Sequence, residues 1–157
     1  MESDLAVSLE VVDAVVAASR ALVGVAARSL AGLEEEVTLS QYRTLVLLCS
    51  RGPQRVADLA QALSVNPSTA TRMCDRLVAK RLARRQRTSL DRRGVSVAAT
   101  KSGRDLVDEV TERRRKEIRR IVTTMPAGTR SLLADSLRSF AEAAGEVPDQ
   151  SWSTGWE

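Results

Sequence analysis

Residues 66–97 read Asn66-Pro-Ser-Thr-Ala-Thr-Arg-Met-Cys-Asp-Arg-Leu-Val-Ala-Lys80, then Arg81-Leu-Ala-Arg-Arg-Gln-Arg87, Thr88-Ser-Leu-Asp-Arg-Arg-Gly94 and Val95-Ser-Val97. Asn66 is a favourable N-cap and Pro67 suits a first helical position, so a helix start is signalled there. Ala70, Met73, Cys74 and Leu77 recur at i, i+3, i+4 and i+7 and make one apolar face. Ser68, Thr69, Thr71, Arg72, Asp75 and Arg76 are left on the other. Small hydroxyls and arginines at the front of a short helix are the groups that hydrogen-bond base edges and phosphates. Between Arg72 and Arg93 nine basic residues stand against two acids, Asp75 and Asp91, a local charge of +7 in a chain whose total is +4. A field of that sign and density is the footprint of a polyanion-binding surface.

Working outward, two shorter segments prepare this helix. Thr38 followed by Gln41 fits a capping box, starting a helix whose apolar residues are Leu39, Tyr42, Leu45, Leu48 and Cys49, and Gly52-Pro53 closes it. A helix over about Arg55 to Leu63 turns Val56, Leu59, Ala60 and Leu63 inward, and Ser64-Val65 forms the turn into Asn66. Two short helices joined by a tight turn, the second bearing arginines, make a helix-turn-helix. After Lys80 the period changes: Leu82–Arg87 and Val95–Ala99 read as two strands around a turn-rich loop ending at Gly94. A charged hairpin directly after such a helix is a wing.

The flanks are helical. From about Asp4 to Leu30 the chain is apolar around most of the helix circumference, with Leu5, Leu9, Val12, Val16, Val23 and Leu30 on one pattern and Val11, Val15, Ala17, Ala18 and Ala26 filling the rest. Such a helix requires burial on nearly all sides, so part of its cover is expected from a second copy of the protein, the alternative being a wholly intrachain bundle. Thr100, with Gly103 nearby, restarts helix to about Met125, with Leu106, Val110, Ile118, Ile121 and Met125 inward and Arg113-Arg114-Arg115-Lys116 reading as solvated or pocket-lining faces in preference to a second DNA patch. A last helix over about Thr129 to Ala144 carries Leu132, Leu133, Leu137, Phe140 and Ala141. The tail from Gly145 to Glu157 is polar apart from Val147, Trp152 and Trp156 and by composition reads as disordered, the alternative being that the two tryptophans pack on the body or a partner subunit.

Composition narrows the function. The chain of 157 residues has no histidine, removing the usual general base and the commonest metal ligand. Cys49 and Cys74 lack zinc-knuckle or Cys-x-x-Cys spacing, so neither metal nor cofactor is expected, and both read as small core residues in a reducing compartment. Oxidant sensing at Cys74 is the other reading, without a resolving partner nearby to support it. The apolar N-terminal stretch is interrupted by Asp13 and Arg20, so neither a signal peptide nor a membrane span is read, and a cytoplasmic location is expected. No enzyme is expected, because no catalytic constellation is found.

Taken together, Leu39-Ser-Gln-Tyr42, Val56-Ala-Asp-Leu-Ala60, Pro67-Ser-Thr-Ala-Thr-Arg72, Asp91-Arg-Arg-Gly94 and Thr100-Lys-Ser-Gly-Arg104 resemble, in order and spacing, the MarR (multiple antibiotic resistance regulator) family of winged helix-turn-helix repressors. The resemblance covers about Leu39 to Arg120 in motifs and the flanking helices by layout. It departs at Arg81, where the family usually closes the recognition helix with glycine, and at Ala98-Ala99, where a leucine is typical and looser packing beneath the wing is expected. The fold class expected is all-α with a small two-stranded wing: a winged helix-turn-helix lobe over 37–100 and a helical dimerisation layer from 1–36 and 101–144, with 145–157 as a tail. The resemblance implies a homodimer that binds a pseudo-palindromic DNA operator and represses transcription until a small ligand binds between the layer and the lobe.

On that reading Ser68, Thr69, Thr71, Arg72 and Arg76 contact DNA, Arg85 and Arg87 add phosphate attraction, and Arg92 or Arg93 enters the minor groove, oriented by Asp91. A wing that only touches phosphate is the milder version. Arg20, Tyr42 and Arg43 are candidates for a small aromatic or acidic effector. The competing classes are a nonspecific architectural DNA binder and a winged-helix protein–protein adaptor, the latter disfavoured by the basic surface at Ser68–Arg76.

Overall fold

The computed structural model describes residues 8–88 and 91–146, with side chains described except at 88–94. Six helices and three strands follow in the order α1 Leu9–Leu30, α2 Leu39–Arg51, β1 Gln54–Arg55, α3 Val56–Ala62, α4 Pro67–Ala79, β2 Ala83–Thr88, β3 Asp91–Ala99, α5 Lys101–Thr123 and α6 Ala127–Ala143. The expected tail, with Trp152 and Trp156, lies outside the described residues.

The lobe is built on α2, which starts where the sequence signals it. Thr38 Oγ1 accepts from the Gln41 amide at 3.3 Å and Gln41 Oε1 accepts from the Thr38 amide at 3.2 Å, closing the capping box. Tyr42, Leu45 and Leu48 are buried with Leu59, Cys74, Leu77, Leu82, Val97, Leu106, Val107 and Val110 in one core. Leu39, expected inward, is 47% exposed, because it is the first helical residue and projects beyond the core.

The sheet has three strands rather than the two expected. Gln54 and Arg55 pair antiparallel with Val97 and Ser96, giving the order β1-β3-β2. Two residues cannot display a period-2 pattern, so β1 is created by its neighbour and not by its own composition. β2 and β3 pair from Ala83↔Ala99 to Arg87↔Val95, with an irregularity at Arg87/Thr88. β3 extends back to Asp91, so Gly94 lies within the strand and does not end the loop as expected.

Both turns of the lobe close on non-glycine residues. At the end of α3 the Val65 amide bonds the Ala60 carbonyl at 3.0 Å and the Ser64 amide bonds Gln61 at 3.1 Å, with Ser64 at φ 53°. At the end of α4 the Leu82 amide bonds Leu77 and the Arg81 amide bonds Val78, both at 2.9 Å, with Arg81 at φ 59°. These paired bonds define Schellman motifs, in which the left-handed residue is usually glycine. Asn66, expected to cap α4 through its side chain, makes no such bond; the Thr69 amide it would serve is taken by its own carbonyl at 2.9 Å.

The wing joins α5 tightly. Thr100 accepts from the Gly103 amide at 3.1 Å and donates to the Arg81 carbonyl at 2.7 Å. A Cβ on Gly103 would collide with the Leu82 carbonyl oxygen. Ala98 and Ala99 are buried, so the looser packing expected beneath the wing is absent: glycine draws the helix onto the strand and the small residues leave no gap.

Outside the lobe the apolar faces are uncovered. Of α1 only Val25 and Ser29 are buried, and Leu9 is 81% exposed. Its C-terminal end is held on α5 by Arg28 to Glu117 at 2.6 Å and by Arg113 to the Ala31 carbonyl at 3.0 Å. Ile121, expected inward, is exposed, as are Leu132, Leu137 and Phe140, and α6 buries no residue at all. Their apolar spacing is real, but among the described residues nothing buries it.

Candidate nucleic-acid interface

Helix α4 presents two opposite faces. Ala70, Met73, Cys74 and Leu77 are buried against the lobe, while Ser68, Thr71, Arg72, Asp75 and Arg76 are exposed and Thr69 is half-buried. Arg72 and Arg76 are one helical turn apart, and among the described residues neither has a hydrogen bond or ion pair. Their guanidinium donors point to solvent, ready for an acceptor. Thr71 differs: its Oγ1 donates to the Pro67 carbonyl at 2.8 Å, so its lone pairs can accept a bond but its proton is committed within the helix.

The wing strand β2 carries Arg84, Arg85 and Arg87, all exposed. Arg85 Nη2 donates to Asp75 Oδ1 at 2.6 Å, tying the strand to the exposed face of α4. Arg85 is thus placed beside the helix as its partner, while Arg87 stands further along the strand opposite Val95. The side chains of Asp91, Arg92 and Arg93 lie outside the described residues, so the wing-tip expectations are not addressed by the structure.

Two basic residues divide differently from the sequence count. Lys80 Nζ donates to the Glu36 carbonyl at 2.6 Å and lies 3.7 Å from Glu35, which spends its charge on the acidic loop before α2. Arg55 gains a place on the wing sheet through β1, a position invisible to a reading that lacked that strand.

Beneath α4 lies a cavity of about 760 Å3, bounded by residues of α1, α2, α4, α5, α6 and the α3–α4 turn. Tyr42 and Arg43 line it; Arg20, exposed on α1, does not. Met73 reaches it from the buried side of α4, and Ile118 and Ala141 give it apolar walls. Arg114 stacks over Tyr42, with Cζ 5.1 Å from the ring centroid, while the Tyr42 hydroxyl lies 3.5 Å from Thr111 Oγ1. The arginine run of α5 is split by the helix: Arg113 bonds Glu109, Arg115 bonds Glu112, and only Arg114 and Arg115 line the cavity.

Both cysteine thiols are held toward the protonated form by burial. Burial pushes the Cys49 thiol up to about 11, against the pull of Arg104 and with a small addition from Asp108. Burial likewise raises Cys74, opposed by Arg85. Among the described residues no cluster of His, Cys, Asp or Glu could hold a metal ion, and no helix is long and apolar enough to cross a membrane.

Comparison with known proteins agrees with this geometry. Residues 37–95, the lobe from α2 to the wing, match the model of the MarR family. The crystal structure of RV1404 from Mycobacterium tuberculosis is 45% identical, superposes with a TM-score of 0.83, and the match covers 90% of this chain and 97% of that one. The HTH-type transcriptional repressor MdtR of Bacillus subtilis is 28% identical over 78% of this chain and 79% of its own length. The HTH-type transcriptional regulator YpoP of the same organism is 29% identical over 52% of this chain, and the match spans 58% of YpoP. A helix-turn-helix with an arginine-bearing second helix, a basic wing tied to it and a lobe that matches the family model lead to one conclusion: the chain is a DNA-binding transcriptional regulator of the MarR family.

Proposed function

We propose that the protein is a ligand-relieved repressor that binds a pseudo-palindromic operator as a homodimer. The observation that carries this is the exposed row Ser68, Arg72 and Arg76 on a helix whose other face is locked into the core, flanked by the basic strand β2. In this reading α4 lies in the major groove and the wing reaches the adjacent minor groove. Two-fold symmetry then spaces the half-site centres by about 10 bp, one turn of the duplex. The uncovered apolar faces of α1 and α6 support association of two chains, and MdtR is itself named a repressor.

Relief would work through the cavity. Met73 belongs to α4 and Ile118 and Ala141 belong to the layer behind it, so a ligand seated there touches both. A small aromatic or acidic molecule fits a site that offers Tyr42, apolar walls and arginines. Binding it shifts the balance between lobe positions only insofar as one position holds it better.

The test is selection from a pool of random duplexes with wild type and Arg72→Ala. An enriched inverted repeat, lost on substitution, supports the proposal. Retention of duplexes without any common sequence, with a salt slope of about −0.9 per phosphate contact, would favour an architectural binder instead.

A further inference from the structure

The recognition helix α4 ends at a junction gripped from two sides. Its C-cap, Lys80, is followed by Arg81, whose carbonyl accepts from Thr100 Oγ1 at 2.7 Å, and by Leu82, whose carbonyl accepts from the Thr100 amide at 3.0 Å. Thr100 caps α5, so these bonds join the end of α4 to the start of the long helix that runs into the layer. The second grip comes from a side chain. Lys80 Nζ donates to the Glu36 carbonyl at 2.6 Å, 44 positions earlier in the chain, and lies 3.7 Å from the Glu35 carboxylate. Lys80 counts among the nine basic residues of the DNA-facing stretch, yet its ammonium is committed to a carbonyl and a carboxylate.

The loop that Lys80 reaches, 31–38, is the connection from α1 to α2. Val37 is buried in the lobe core and Leu33 packs against it, while Glu34, Glu35 and Glu36 are exposed between them. At the start of the loop Arg113 of α5 donates to the Ala31 carbonyl at 3.0 Å, and just before it Arg28 of α1 bonds Glu117 of α5 at 2.6 Å. The contacts therefore close a ring. Thr100 joins α4 to α5, Arg113 and Glu117 join α5 to the end of α1, and Lys80 joins the loop after α1 back to α4. Coupling between separate parts of a protein is carried by such networks of hydrogen bonds and rigid elements. The Lys80–Glu35 pair is open to solvent on the glutamate side, so little stability rests on it.

We propose that Lys80 is a positioning residue for DNA binding: by closing this ring it fixes the angle of α4 to the layer, and so the spacing between the two recognition helices of a dimer. It meets no phosphate itself. The role in spacing rests on reading the protein as a homodimer on an inverted repeat.

The test measures binding of full-length wild type, Lys80→Gln and Lys80→Arg to the inverted repeat that wild type selects. The same repeat with a single base pair added to or removed from its centre is measured beside it, over a range of salt. Lys80→Gln should melt within about a degree or two of wild type. It should bind the selected repeat several-fold more weakly, lose less affinity than wild type when the spacing is changed, and keep the wild-type dependence on salt. Lys80→Arg still offers donors to the Glu36 carbonyl and should restore both affinity and spacing preference. A salt slope lower by about one in Lys80→Gln overturns the proposal, because Lys80 then meets a phosphate. Weakening by the same factor at every spacing overturns it too, since that is what a merely structural loss produces. Failure of wild type to select an inverted repeat rejects the homodimer reading and the spacing role with it, whereas a repeat bound alike by wild type and Lys80→Gln rejects the role of Lys80 alone.

Discussion

Arg81 ends the recognition helix in a left-handed conformation, at φ 59°, that a residue with a Cβ adopts at a cost of about 1–2 kcal/mol. Glycine escapes that cost but loses more entropy on folding. Arg81→Gly should therefore raise stability by about 1 kcal/mol, read as a higher urea midpoint with unchanged slope. A lower midpoint would mean that the arginine makes a compensating contact. Gly103 is the opposite case. Its missing side chain lets α5 lie on the Leu82 carbonyl, so Gly103→Ala forces backbone apart and should cost about 2–3 kcal/mol. The two glycine-related sites were unequally legible in sequence. The departure at Arg81 was visible, whereas the collision at Gly103 needs a partner 21 residues earlier in the chain. At Cys49, burial keeps the thiol protonated up to about 11, so native-state alkylation by iodoacetamide should still be rising at pH 10. A plateau set by an ordinary thiol near about 8.5 would show that the side chain is open to solvent.

At the scale of elements, α4 and β2 act as one piece because Asp75 and Arg85 bind each other across them. The pair is exposed on both sides, so its worth lies in orientation more than in stability. Asp75→Asn should leave the melting temperature within about a degree or two while weakening operator binding. If Asp75 merely repels phosphate, the same substitution will tighten binding, and the titration separates the two by sign. Arg72→Ala should lower the slope of log affinity against log salt by about one if the arginine meets phosphate, or leave the slope and relax sequence preference if it meets a base. The element most poorly marked in sequence was β1, since a two-residue strand has no pattern of its own and exists only as a partner for β3.

At the scale of the whole molecule, the chain has a well-packed lobe and an unpacked layer. Leu132 is 68% and Phe140 54% exposed, on a helix with no buried residue. Contiguous apolar faces of this kind mark association surfaces. Phe140→Glu combined with Leu137→Glu should shift sedimentation from a dimer to a monomer and abolish tight binding to an inverted repeat, while leaving the lobe's fold intact. Unchanged sedimentation would place the contact on α1 alone or remove the dimer from the account.

What residue order decides here is local. The capping box at Thr38 and Gln41, the apolar spacing of α4 and the basic density from Arg72 to Arg93 are all set by neighbours within a few positions, so they could be read without coordinates. Which arginines are free is not local. Lys80 is drawn to Glu36, Arg85 to Asp75 and Arg114 over Tyr42, across separations that periodicity does not encode. The same holds for Arg20, which carries the same charge as Arg43 but is exposed on α1 and does not line the cavity. Composition determines that a polyanion will be attracted. Only packing, by spending some charges and stranding others, decides where each remaining charge can act.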